Sequence, residues 1–244
     1  MLLDRSHMRV LTYNVQMLPI IARWKKKRME ALLKREFLEY DIIGLQEHFS
    51  IRSPFLRWMC PQHPTIGFSG AHSPHPLSIT KLISGGLSIY TRYEIVSSCF
   101  YPFQCAVGMD KLAEKGVLYA KICHGSGLYL HVFNTHLQAG RSTRASLIRM
   151  DQLQDVQKFI FENTRSDRYP IMLLGDFNEH VNLDGFPKVR KYASISKTIN
   201  SFKDRCLDYI IVQQDRMIMI GHDQKNNFDH FSDHSGISVS TFLN

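Results

Sequence analysis

Eight short apolar runs rich in Val, Ile, Leu and Tyr recur from position 9 to position 243, separated by polar and turn-forming stretches. They are RVLTYNV (9–15), DIIGLQE (41–47), GGLSIYT (85–91), GVLYAKI (116–122), LYLHVFNTHL (128–137), PIMLLGD (170–176), LDYIIV (207–212) and GISVSTFL (236–243). Short runs enriched in β-branched and aromatic residues predict strands, several of them buried on both faces. Two further segments carry helical spacing. Met29, Leu32, Leu33 and Phe37 form one apolar stripe in 26–39, and Leu147, Met150, Leu153, Val156 and Ile160 form another in 143–161. Strands interleaved with two long helices predict an α/β (α+β) layered domain.

The 244 residues contain no repeat, no low-complexity linker and no composition break. One domain over 9–244 is expected, after a lead at 1–8 that is native or left from cloning. The stretch 50–83 is the least regular, with five prolines and the aromatics Phe55, Trp58 and Phe68. It reads as a functional loop.

Thirty basic residues against 22 acidic ones give a net charge of +8. That balance excludes an acidic solvating protein and favours an anionic partner: nucleic acid, a phosphate ester or an acidic membrane. The basic run at 23–28, RWKKKR, sits where a helix should start, against the helix dipole, and suits an anionic surface. No apolar run approaches the roughly 20 residues that span a bilayer, and no signal-type stretch develops before Asp4 and Arg5. A chain in the cytoplasm, or secreted without a recognisable signal and peripheral at membranes, is expected. The five cysteines show no CxxC spacing, so reduced packing cysteines are the default.

The chemistry lies at strand ends. Asn14, Glu47, His136, Asp176 with Asn178, and Asp208 stand where apolar runs finish or begin, and Ser232-Asp233-His234 precedes the last strand. Rigid strands fix the geometry of groups drawn from distant parts of a chain. Glu47, with Asn14 and Asp233, offers hard oxygen ligands too few for a calcium cage but suited to magnesium. His136 and His234 can move protons near neutral pH. Asn178 and Lys115 can hold phosphate oxygens. Together these residue types point to metal-assisted hydrolysis of a phosphoester.

The order TYNVQMLP, DIIGLQEHF, GGLSIYTRYEIV, DKLAEKGVLYAKI, NTHLQA, LLGDFNE, LDYIIV and SDHSGI resembles the endonuclease/exonuclease/phosphatase superfamily across 9–240. DKLAEKG, NTHLQA and the QEHF at 46–49 resemble its neutral sphingomyelinase branch, especially the bacterial members. The resemblance implies a four-layer α/β/β/α sandwich of two mostly antiparallel sheets with helices outside. By the same likeness, Glu47 is the principal magnesium ligand and Asn14 supports that site, with manganese or cobalt as substitutes. His136 matches the active-site histidine, and Asp176 the carboxylate that orients or deprotonates water. Asn178 matches the phosphate contact, Asp208 the partner of His234, Asp233 a metal-side carboxylate and His234 the terminal acid or base. Asp110 and Lys115 match an Asp and Lys beside the phosphate. Whether Asp176 or His234 is the base stays open.

The implied activity is magnesium-dependent hydrolysis of sphingomyelin or a related phospholipid at a membrane surface by a monomer, with release of a phosphorylated headgroup. A nuclease or a phosphoinositide phosphatase of the same fold is the alternative. Nucleic acid is the weaker partner, because no base-stacking array is evident. Two departures bear on substrate. Gly140 and Arg141 follow THLQA, where the branch usually has an acidic residue, and the chain is shorter than typical secreted members, so their apolar membrane hairpin is expected to be missing or reduced.

Overall fold

A computed structural model describes residues 7–17, 37–49, 68–74, 81–125, 127–179, 193–197, 207–213, 215–225 and 232–243; for 193–197 and 221–225 only the backbone is described. Among the described residues twelve strands form two six-stranded sheets. The first contains β1 (His7–Asn14), β2 (Ile42–Gln46), β3 (Ser69–His72), β4 (Ser88–Thr91), β11 (Met217–Lys225) and β12 (Gly236–Leu243), in the order β11-β12-β1-β2-β4-β3. The second contains β5 (Glu94–Pro102), β6 (Gly116–Gly125), β7 (Leu128–His136), β8 (Ile171–Asp176), β9 (Ala193–Lys197) and β10 (Asp208–Gln213), in the order β5-β6-β7-β8-β10-β9. Pairings are antiparallel except β1 with β2 and β7 with β8. This is an α/β sandwich.

The period-2 alternation of each strand sorts its side chains between two cores. Met8 and Val10 of β1, Ile42 of β2, Leu130 and Val132 of β7, Met172 and Leu174 of β8, and Ile210 and Val212 of β10 fill the space between the sheets. The alternate residues face outward. Leu11, Tyr13, Ile43 and Leu45 pack with Phe37 and Tyr40 on one side. On the other, Tyr119, Phe133, Leu173 and Ile211 pack against Val156 and Phe159 of α1 (Thr143–Thr164). Buried on both faces, β2 and β10 therefore read as unbroken apolar runs.

Helix α1 begins at the Ser142 cap, whose hydroxyl accepts from the Ala145 amide, and runs three residues past its expected end. Its buried face matches the expected stripe only in its second half, where Val156 is buried and Leu153 and Ile160 pack against the same core. Leu147 and Met150 are 57% and 58% exposed, whereas Ala145, Arg149, Gln152, Val156 and Phe159 face the sheet. Arg149 turns inward because its guanidinium donates to the Gln138 and Gly140 carbonyls, both at 2.8 Å, and to Glu179.

Other expectations also shift. β1 starts at His7, so His7 and Met8, read as lead, pair with Phe242 and Thr241 of β12. Within the stretch read as irregular, Ser69–His72 forms edge strand β3. The helix expected over 26–39 lies outside the described residues, except that Phe37–Glu39 form a 3-10 turn. The basic run at 23–28, Phe55 and Trp58 also lie outside them. Of the four expected layers, both sheets and α1 are described. Among the described residues, no helix is long and apolar enough to cross a membrane.

Candidate active site

The inner-face alternation that builds the central core also builds the site. Asn14 is in phase with Met8 and Val10, His136 with Leu130 and Val132, Asp176 with Met172 and Leu174, and Asp208 with Ile210 and Val212. The register then brings them to one end of the sandwich, for His136 lies opposite Asp176 and Asp176 opposite Asp208. Apolar side chains hold the sheets together along their length, and polar ones take over where the strands end.

Glu47 follows β2 and would fall on the outer face by simple alternation. Its φ of 54° puts it in the left-handed region, so it leaves the strand's phase. The Asn14 amide donates to Glu47 Oε1 at 3.2 Å and to Asp176 Oδ2 at 3.0 Å. A single buried amide thus links the two carboxylates. Ser232 donates to the Asn14 carbonyl at 2.6 Å and accepts from the His234 amide at 3.2 Å, which fixes the approach to β12.

Both imidazoles converge on Asp176. His136 Nε2 lies 3.5 Å from Asp176 Oδ2, and His234 Nε2 lies 3.7 Å from the same oxygen. His234 Nδ1 lies 2.9 Å from Asp208 Oδ2, so the neutral ring carries its proton on Nδ1. Lys115 is buried and its ammonium donates to Asp110 at 2.9 Å, to the Leu137 carbonyl at 3.0 Å and to His136 Nε2 at 3.1 Å. Asn178, also at positive φ (52°), donates its side-chain amide to the Leu137 carbonyl at 3.1 Å, and its backbone amide donates to Asp176. Asp233 stands apart: its side chain is exposed and lies 4.0 Å from His234 Nε2.

Burial and the nearby Asp208 charge hold Asp176 well above the usual carboxylate range. Burial likewise raises Glu47. His136 is driven far down by burial and by the Lys115 and His234 charges. Burial opposes a charge on His234, but Asp208 and Asp176 outweigh it and hold this ring protonated above its ordinary range.

The donor set suits a hard cation. Among the described residues, Glu47 Oε2 and Asp208 Oδ1 are buried without a hydrogen-bond partner. Asp176, Asp208 and His234 also offer ligand atoms within 4.8 Å of one another. A buried, unpartnered carboxylate oxygen costs about 1–3 kcal/mol unless something satisfies it, and a divalent cation does so with oxygen ligands.

Sequence reasoning missed the residues that carry the site from behind. Gln46 reaches Asn134 Oδ1 at 2.7 Å, Asn134 donates across to the first sheet, and Gln152 accepts from the Gln138 amide at 2.8 Å. The one legible signal was polar residues at strand and helix positions that face the core.

A family model described as Endonuclease/Exonuclease/phosphatase family matches residues 11–234, most of the chain. The chain belongs to that family. Within the family its likeness runs to sphingomyelinases. It is 36% identical over 170 residues to a sphingomyelinase of Dictyostelium discoideum, covering 57% of this chain and 37% of that protein. It is 27% identical over 227 residues to a sphingomyelinase C of Bacillus cereus, covering 81% and 65%. The family member thus spans between about a third and two thirds of these curated relatives. A double mutant of Staphylococcus aureus beta toxin, solved with bound magnesium ions, shares the fold: the TM-score is 0.73 at 18% identity, covering 96% of this chain and 99% of that one.

Proposed function

We propose that the protein is a magnesium-dependent phosphodiesterase that hydrolyses sphingomyelin or a related phospholipid and releases the phosphorylated headgroup. The observation that carries this reading is the convergence of His136 and His234 on the buried Asp176 carboxylate, beside a Glu47 oxygen with no hydrogen-bond partner among the described residues. The sphingomyelinase relatives support the substrate class.

Glu47 and Asn14 would hold the magnesium, with Asp233 on the solvent side. The ion, when bound, supplies charge neutralisation at the phosphoryl oxygens. The chain's own groups do the rest. Asn178 holds a phosphate oxygen and Lys115, on giving up its bond to His136, another, while Asp110 keeps the Lys115 ammonium in place at 2.9 Å. Asp176 orients the attacking water and takes its proton, for which a raised affinity is an advantage. Asp208 fixes the His234 tautomer, and the His234 Nε2–H faces the reacting centre as the proton donor to the departing oxygen. Water adds to phosphorus as the bond to the lipid oxygen breaks. That oxygen leaves as an alcohol carrying the donated proton.

The test incubates the protein with magnesium and either phospholipid vesicles containing sphingomyelin or plasmid DNA. Release of phosphorylated headgroup that stops on chelation supports the reading. Nicked DNA beside untouched vesicles overturns it in favour of the nuclease. Glu47→Gln and His136→Ala should each lower turnover by about 100-fold or more while circular dichroism stays native. Near-wild-type rates would place the chemistry elsewhere.

A further inference from the structure

A cavity of about 450 Å³ opens beside the site, between the 3-10 turn Gly108–Leu112 and the segment that leads from β7 into α1. Its walls include Val107, Met109, Asp110, Lys111, Gln138 and Arg144. Asp110 joins it to the site: the Oδ2 that accepts from Lys115 at 2.9 Å also accepts from the Ala139 amide at 2.7 Å. Lys115 in turn touches His136. A phosphodiester bound against Lys115 would thus lie one residue, Asp110, away from this cavity.

The cavity has a definite electrostatic sign. Lys111 and Arg144 stand exposed on its walls, and among the described residues neither enters an ion pair. Among the described lining residues Asp110 is the only carboxylate, and its charge is already matched by Lys115 and an amide. Helix α1 has no acidic residue of its own in its first turn; the carboxylate that reaches that turn, Glu179, accepts from Ser146 at 3.2 Å and is matched by Arg149. The described lining residues also include no aromatic ring. A quaternary ammonium is recognised by aromatic faces or unmatched carboxylates. Here it would meet two like charges instead.

We propose that this cavity is a headgroup subsite for phospholipids whose polar arm carries a second phosphate, in preference to a quaternary ammonium. The inference rests on the phosphodiesterase reading above and sharpens its substrate class. Water still adds to the diester phosphorus and the bond to the diacylglycerol oxygen still breaks. The second phosphate stays on the released headgroup.

The test compares dihexanoylphosphatidylcholine with dihexanoylphosphatidylinositol 4-phosphate, each below its critical micelle concentration and with magnesium present. Release of dihexanoylglycerol reports diester cleavage. Monomeric substrates remove the attraction of a basic protein to an anionic surface, so the preference reports the cavity. The expected kcat/KM is about tenfold higher for the phosphorylated lipid at low salt, and the two converge as salt screens the exposed charges over about 10 Å at 0.1 M. Lys111→Glu combined with Arg144→Glu should reverse the order, chiefly through KM. Equal rates on the two lipids, or a choline preference that the double variant leaves unchanged, overturn the subsite while the phosphodiesterase reading stands. Cleavage of neither lipid overturns both.

Discussion

Asn134 gives the sharpest test of how the sandwich holds its site. It is fully buried on the inner face of β7, two residues before His136. Its amide donates to the Leu45 carbonyl at 2.8 Å and the Ser88 carbonyl at 2.9 Å, and its oxygen accepts from Gln46 at 2.7 Å. All three partners belong to the opposite sheet. Asn134→Ala removes three hydrogen bonds worth about 1 kcal/mol each. Two strand carbonyls lose a donor and a small void opens, which brings the expected cost to about 4 kcal/mol. Asn134→Asp keeps the shape but aims a carboxylate at two carbonyl oxygens. At pH 7 it should cost at least as much as the alanine variant.

The pH dependence separates this account from simple loss of packing. Burial raises the introduced carboxyl's folded pKa above its unfolded value of about 3.9. The folded state then binds the proton more tightly, so the deficit shrinks as pH falls and grows by up to about 1.4 kcal/mol per unit as pH rises between the two values. Urea denaturation followed by far-UV circular dichroism at pH 7 and pH 5 measures both. An alanine cost below about 1 kcal/mol would refute the cross-sheet staple, as would an aspartate deficit that does not move with pH.

Other predictions follow from packing and titration. A Cβ on Gly116 would strike the Tyr101 carbonyl oxygen across the β5–β6 pair, so Gly116→Ala should lose about 3 kcal/mol or more in the same assay, and a neutral result would mean that this pairing is wrong. His48 is held down to about 3 by burial and by His72, so the folded ring stays neutral while the unfolded one protonates near its ordinary 6.5. Stability should therefore be unaffected by this group above pH 6.5 and fall as pH drops towards 3, by up to about 1.4 kcal/mol per unit. His48→Gln should flatten that slope; an identical slope in both proteins would exclude His48 as its source. On α1, Leu147→Lys and Met150→Lys should each change stability by less than about 0.5 kcal/mol, whereas Arg149→Ala should cost about 3 kcal/mol or more and leave Glu179 unmatched. The opposite ranking would restore Leu147 and Met150 to the buried face.

The central strands were legible because burial on both faces leaves a continuous apolar run, as in β2, β8 and β10. The edge strands were not. β5 carries Ser97, Ser98 and Cys99 on a largely exposed backbone, and only its pairing with β6 makes it a strand. β3 and β9 are also edges, and each is recognised through a single neighbour. On α1 Leu153, Val156 and Ile160 pack inward as the periodicity implies, but Leu147 and Met150 do not, because Arg149 and Gln152 sit inside with their polar atoms satisfied by the Gln138 segment. Hydropathy cannot anticipate a buried guanidinium whose partners come from elsewhere in the chain. Asn14, Glu47, His136, Asp176, Asp208 and His234 were legible as polar residues at strand ends. The left-handed backbone at Glu47, which turns its carboxylate towards Asn14, has no signal in residue type.

Asn14 and Glu47 are carried by one sheet, while His136, Asp176 and Asp208 are carried by the other. Neither half of the molecule can therefore assemble the reactive cluster alone. During refolding, turnover should return only with docking of the two halves, after most secondary structure is in place. Any agent that lets them slide by even an ångström should silence the protein well before circular dichroism registers unfolding.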